Sequence, residues 1–412
     1  MTRLLTKYPV AILFVTYVTV EVCVVTGIVC GPAFQRIFEL SDTRLGLIFS
    51  ALALGGLITS LEVGHVVHHI GLWRAWCIGM VGMICAAAAV LAAAGFWTIF
   101  IPIFLLGITR IFVVNANNTF LSDYFSGRTL RAMALASGLW FGSSVITSLL
   151  IGYWVAWTNT QGMRWATYAL PYIISIILLV AVLAAAVKLL RPLMQAPDSA
   201  TEPQPEPQDN LARTERPSRS QHLLINLIAY CHGSTLVPLI AWVNPMMQEK
   251  FAADDFHGAL AFGALALGLA TGRLSIAAGL INRDNRVMLA SSGLAGGLLF
   301  GLSLCLPNYW ATVGAVAVGG LLLSSTAPCM LALVSEKFFA VKSHVFGHMG
   351  ASISAAAFVS PWLIGMLADA GVALDKALWL SPLSAVVLGL VSLAWKVFES
   401  TGSTAAATQR SH

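Results

Sequence analysis

Charge is what this chain has least of. Asp, Glu, Lys and Arg make up 10% of its 412 residues, where soluble globular domains carry about a quarter. That shortage excludes a body solvated by water on all sides. No G-x-x-x-x-G-K loop and no Ser-His-Asp context occur, so ATP is not the expected energy source and an enzyme is not the expected class. The seven cysteines (23, 30, 77, 85, 231, 305 and 329) never form C-x-x-C and sit almost entirely in apolar stretches. They imply neither a disulfide framework nor a metal centre. His344 and His348 have a ligand-like spacing of four, but with no further ligand nearby they read as a polar helix start. No cofactor, no metal and no nucleic-acid partner are expected.

What the chain has instead is hydrocarbon, at 58% apolar residues. Twelve runs recur at approximately 9–31, 43–66, 72–94, 97–121, 131–156, 164–190, 222–247, 257–281, 286–306, 309–334, 343–370 and 375–398. Each has the roughly 20 residues that a helix needs to cross a bilayer core of about 30 Å. The expected fold is therefore an all-α membrane protein with twelve transmembrane helices. Arg3 and Lys7 precede a first run too long for a signal-peptide core and without an A-x-A site, so it reads as a retained helix. With the N-terminus inside, most of the 23 Lys and Arg fall in cytoplasmic segments. This bias predicts cytoplasmic N- and C-termini and accounts for the +5 charge through topology. The expected location is the plasma membrane, or the inner membrane of a bacterial cell.

The stretch "APDSATEPQPEPQDNLARTERPSRSQ" (196–221) is too polar to bury a core and reads as a cytoplasmic linker. It divides an N-terminal six-helix bundle (1–195) from a C-terminal one (222–398), with a flexible tail at 399–412. The fourth run ends in "LSDYF" with Asp123 and the tenth in "VSEKF" with Glu336, a faint repeat that suggests duplication. Transporters commonly place their site between such repeats.

Over nearly its full length the chain resembles the major facilitator superfamily. That family carries a basic loop after its second helix, and here "GHVVHHIGLWR" supplies Gly64, Gly71 and Arg74, with His68 and His69 where Asp and Arg are usual. The second copy is "AGLINRDNR", with Asn282, Arg283 and Arg286. The resemblance implies two six-helix bundles, a central site with alternating access, and gating roles for His68, Gly71, Arg74, Asp123, Arg283 and Glu336. A finer resemblance, to the fucose-galactose-hexose branch, rests on "LLLSSTAPCMLAL" with Ser324 and Pro328, on Gly272-Arg273, and on Asn115, Asn117 and Asn118. The acids of that branch do not align, Val113 or Val114 standing at the second, so sugar specificity does not carry over.

Charged residues at the bilayer centre cost at least about 2.5–3.5 kcal/mol, and normally face an aqueous cavity or a partner. Glu21 and Arg110 each lie about 20 Å deep, thirteen residues along their helices from the cytoplasmic ends. They are predicted partners: Glu21 as proton carrier, or the two as a static ion pair locking the first and fourth helices. Arg273, about 14 Å deep on the eighth helix, is a candidate for a substrate carboxylate or phosphate, with a gate or snorkelling arginine as the alternative. His232 is a candidate contact about 16 Å deep, with a packed hydrogen-bonding histidine as its alternative. Asn117, seven residues from Arg110, shares its helix face. Trp242 and Ser325 complete the candidate substrate contacts, and Trp140 is a second tryptophan able to stack on a ring.

The expected function is a secondary active transporter for a small polar organic solute, an anion favoured over a neutral sugar because two buried arginines face one glutamate. Proton coupling is expected, and membrane lipid surrounds a single copy. A proton-driven efflux antiporter for a hydrophilic metabolite and a non-transporting sensor or scaffold are the alternatives.

Overall fold

The computed structural model describes residues 7–125, 129–194, 217–280, 284–338 and 342–393. It holds twelve helices long and apolar enough to cross a membrane, and no strand among the described residues. They are α1 (Lys7–Val29), α2 (Asp42–Ile70), α3 (Leu72–Val90), α4 (Phe96–Tyr124), α5 (Thr129–Thr160) and α6 (Arg164–Leu189) in the first half. The second half holds α7 (Arg219–Phe251), α8 (Asp255–Ala277), α9 (Asn285–Cys305), α10 (Tyr309–Leu323 continuing as Thr326–Lys337), α11 (Lys342–Asp369) and α12 (Leu374–Leu393). The fold is the all-α bundle that the apolar runs predict.

Local chemistry fixes the boundaries. α7 starts at Arg219, inside the stretch read as linker, because Ser218 and Gln221 form a capping box there. Ser41 and Asp254 cap α2 and α8 from one side only, each accepting a backbone N–H with its side-chain oxygen. α10 breaks at Ser324-Ser325, as its polar run predicts. The Ser324 and Thr326 hydroxyls donate to the Leu321 and Leu323 carbonyls at 2.7 and 2.8 Å, a back-bonding that bends helices.

The two halves repeat one frame. α2, α3, α4 and α5 begin at Asp42, Leu72, Phe96 and Thr129, and α8, α9, α10 and α11 begin 213 positions later in each case. Asp123 and Glu336 have the same interval. The packing repeats as well. A Cβ on Gly55 would stand 2.2 Å from the Phe104 carbonyl and one on Gly107 2.2 Å from that of Leu52, so α2 and α4 cross backbone to backbone. At the matching positions of α8 and α10, a Cβ added to Gly268 would collide with the Ala317 carbonyl and one on Gly320 with that of Leu265. Small residues replace hydrophobic drive where lipid is as apolar as the helices.

Two seams join the halves, α5 along α8 and α2 along α11. At the end distal to the N-terminus they are tightly closed. Gly152 of α5 stands against Ala259, and Gly365 of α11 against the Asp42 carbonyl. The Arg36 guanidinium reaches Asp255 at 2.7 and 2.8 Å, and the Asp369 carboxylate accepts from the Asp42 and Thr43 amides at 3.0 and 2.9 Å. Trp242 of α7 donates to the Pro361 carbonyl at 3.0 Å and meets Phe49 of α2 edge-on. Towards the other end of α11, Gly347 and Gly350 face open space.

Because the α2–α4 crossing leaves no room for a side chain, Gly107→Val is expected to destabilise by about 1–3 kcal/mol through overpacking. A lowered thermal midpoint in detergent checks this, with Gly347→Ala, which meets open space, unchanged beside it.

Candidate functional site

A buried acid, a buried arginine and a half-buried one meet on one helix. Glu21 projects from α1, is 5% exposed, and accepts a hydrogen bond from the Ser144 hydroxyl of α5 at 2.8 Å. Four residues before Ser144, and so on the same face, Trp140 lies under the Arg110 guanidinium of α4, 4.6 Å from the ring centre. Its neighbour Phe141 receives the Arg273 guanidinium of α8, also at 4.6 Å. Helix α5 thus holds the two cations on consecutive aromatic faces, one from each half of the protein. A cation over an aromatic face gains most where water is excluded, which suits both sites.

Glu21 has no N···O contact within 4.0 Å to either arginine; Arg110 and, more weakly, Arg273 act on its carboxylate across a longer gap. Ser144 fills the direct contact in their stead. The guanidiniums are correspondingly undersatisfied. Arg110 Nε and Arg273 Nε are buried without a hydrogen-bond partner, and so is Asn117 Nδ2, on a residue 1% exposed. Asn117 spends its oxygen on the Trp76 indole N–H at 3.0 Å, and Tyr17 donates to Asn118 Oδ1. The Tyr17 ring leans on Trp140 at 6.0 Å, so the floor beneath Arg110 is itself supported. Gly142, beside Phe141, faces open space. Buried donors of this kind cost free energy unless something accepts from them, and a carboxylate or phosphate is acceptor-only chemistry matched to the guanidinium fork.

The structure brings Glu21, Arg110 and Arg273 to this α5 platform, whereas Asn117 turns to Trp76 of α3. His232 of α7 bonds Thr326 beyond the α10 break at 2.9 Å and lies within the field of Arg273. Ser325 pairs with Ser292 of α9 at 2.5 Å. Trp242 belongs to the distal closure. Gly71 takes a φ of +82° at the α2–α3 junction, a left-handed turn that glycine supplies without strain, and Arg74 is exposed one turn later. Arg283 and the side chains of His68, Asp123, Glu336 and His344 lie outside the described residues. Sequence reasoning missed Ser144 and Phe141. The i, i+4 pair Trp140–Ser144 carried the signal.

A polar centre shared between two repeated six-helix halves defines a membrane transporter. The family model of the Major Facilitator Superfamily matches residues 11–294, and the chain belongs to that family. Solved structures share its fold. FucP, a Major Facilitator Superfamily transporter in the outward conformation, is 16% identical with a TM-score of 0.67, over 94% of this chain and 98% of its own. The human organic anion transporter TETRAN is 12% identical at 0.67, covering 94% and 100%. A bacterial homolog of the human lysosomal transporter Spinster, inward-facing and unoccupied, is 15% identical at 0.67, covering 94% and 95%. No curated protein matches.

If the Ser144 bond holds the carboxylate, a double-mutant cycle of Glu21→Gln and Ser144→Ala in detergent melts is expected to give a coupling of about 0.5–3 kcal/mol. Additive losses would show that the two side chains act independently.

Proposed function

We propose that the protein is a proton-coupled secondary active transporter of a small organic anion, working by alternating access. The observation that carries this reading is the pair of buried guanidiniums, one from each half, with unpartnered Nε donors around a single carboxylate. Arg110 and Arg273 bind the anion, Asn117 adds a donor, and Glu21 carries the proton. His232 and Ser325 shape the far wall through the α10 break. A site contributed by both halves is what rocking one half against the other exposes to each side in turn. TETRAN, a neighbour in fold, is an organic anion transporter, which supports the anion over a neutral sugar.

The distal closure, with Arg36–Asp255 at its centre, is the outer gate. At the other end the gate is built from the loop and helix-end residues His68, Gly71, Arg74, Asp123, Arg283 and Glu336. The protein works as a monomer in the plasma membrane, or the inner membrane of a bacterial cell, with both termini in the cytoplasm.

Counterflow and proton-driven uptake in proteoliposomes, with small organic anions beside neutral sugars, test this reading. Wild type is expected to accumulate an anion when a pH gradient is imposed. Glu21→Gln is expected to keep counterflow and lose accumulation. Normal proton-driven accumulation by the variant would reduce Glu21 to a structural residue.

A further inference from the structure

We propose that His65 and His69, at the end of α2, form a bis-imidazole site for a divalent transition-metal ion of the Cu²⁺, Ni²⁺ and Zn²⁺ class. The site stands apart from the polar centre and does not depend on the anion reading.

The geometry of the pair carries the argument. The two histidines are four residues apart on one helix and share a face. That spacing alone makes no site. What distinguishes this pair is that the Nε2 atoms converge to 3.1 Å, with ring centroids 4.4 Å apart and planes at 77°. Two imidazoles bound to one ion at about 2.0–2.1 Å hold their nitrogens roughly 2.9–3.4 Å apart, for angles at the metal between square and tetrahedral. His65 and His69 therefore already stand at a chelating separation, and α2 needs no backbone change to admit an ion. In the hydrogen bond between neutral rings, one Nε2 carries the proton and the other offers its lone pair. Coordination takes a lone pair from both, so the donor ring moves its proton to Nδ1 and the ion replaces the shared hydrogen, beside the N···N line.

The surroundings suit a dication. The apolar span of α2 ends at Val63, so both rings lie beyond it, and both are exposed. His69 is in the last turn of α2, where carbonyls without helical partners make the end negative. Glu62, three residues before His65 and seven before His69, lies on the same face and is exposed as well. Arg44, at the opposite end, is the one Lys or Arg of the helix. No third His, Cys, Asp or Glu gathers with the pair among the described residues, so Glu62 acts through its field. Two protein ligands leave the other positions of the ion to water, which makes it exchangeable. Imidazole nitrogen also selects the class, since Mg²⁺ and Ca²⁺ take oxygen ligands. Two other histidines serve as internal comparisons: His222 of α7 meets His348 of α11 ring to ring at 4.8 Å, and His257 Nδ1 is committed to Asp254 at 2.6 Å.

The test titrates the full-length protein, with any purification tag removed, with Cu²⁺, Ni²⁺, Zn²⁺ and Mg²⁺ by calorimetry, and follows Cu²⁺ by electron paramagnetic resonance. Wild type is expected to show a saturable step that is tightest for Cu²⁺ and missing for Mg²⁺. The Cu²⁺ spectrum is expected to carry coupling to two imidazole nitrogens. His65→Ala and His69→Ala, each on an exposed surface and each checked for an unchanged melt without metal, should both lose the saturable step and the two-nitrogen signal. His222→Ala and His257→Ala should keep them. A step that survives either of the first two substitutions, or is lost in either of the second two, places the metal elsewhere and overturns the site. No saturable step in wild type with any of the three transition metals would leave His65 and His69 as a hydrogen-bonded pair and nothing more.

Discussion

A guanidinium inside hydrocarbon has to be held by something other than water, and the centre of this protein is arranged around that constraint. Two arginines enter from opposite halves. Helix α5 meets both, giving each an aromatic face and giving Glu21 a hydroxyl. Tyr17 and Asn118 brace the Trp140 face from α1 and α4. The compensation is incomplete by design of the chemistry: aromatic rings accept a cation's charge but not its N–H directions, so the Nε donors remain for an acceptor.

The same helix carries one of the two seams between halves. Gly138 packs on Leu274 and Gly152 on Ala259, while Gly142 between them faces open space. α5 therefore touches α8 closely at either side of the level where Phe141 meets Arg273. Under the alternating access proposed above, movement of one half against the other changes what Arg273 rests on, and with it the field at Glu21. On that proposal, binding chemistry and the opening of the gates share one mechanical element.

Much of the fold was legible because bilayer thickness imposes length and apolarity on every span, and the chain follows that pattern twelve times. Glu21, Arg110 and Arg273 were legible because a charge in such a run stands out. Their geometry was not. Depth along a helix is read from residue counts, but azimuth needs the neighbouring helices, and nothing local told Ser144 from its neighbour Ser143 as the partner of Glu21. Trp242 looked like a candidate contact for the same reason; its indole is committed to the Pro361 carbonyl, a partner 119 residues away that no local pattern announces. The glycine crossings were hidden as well, since 35 glycines offer many pairings and contact selects among them.

The repeated frame has a consequence for symmetry. If the halves were identical, a half-turn about the membrane normal would exchange them and leave each end of the molecule where it was. Side chains at the helix starts keep that symmetry: Gln35 donates to Asp42 in the first half as Gln248 donates to Asp255 in the second. The charges remove it. At the interval of 213, Glu21 answers to Ser234, Arg110 to Leu323 and Arg273 to Ser60. Arg36, which clasps Asp255 across the seam, answers to Glu249, which bonds the Leu374 amide within its own half. Duplication supplied two equivalent frames, and a handful of unmatched side chains gave each half its own work at the shared centre and at the seam.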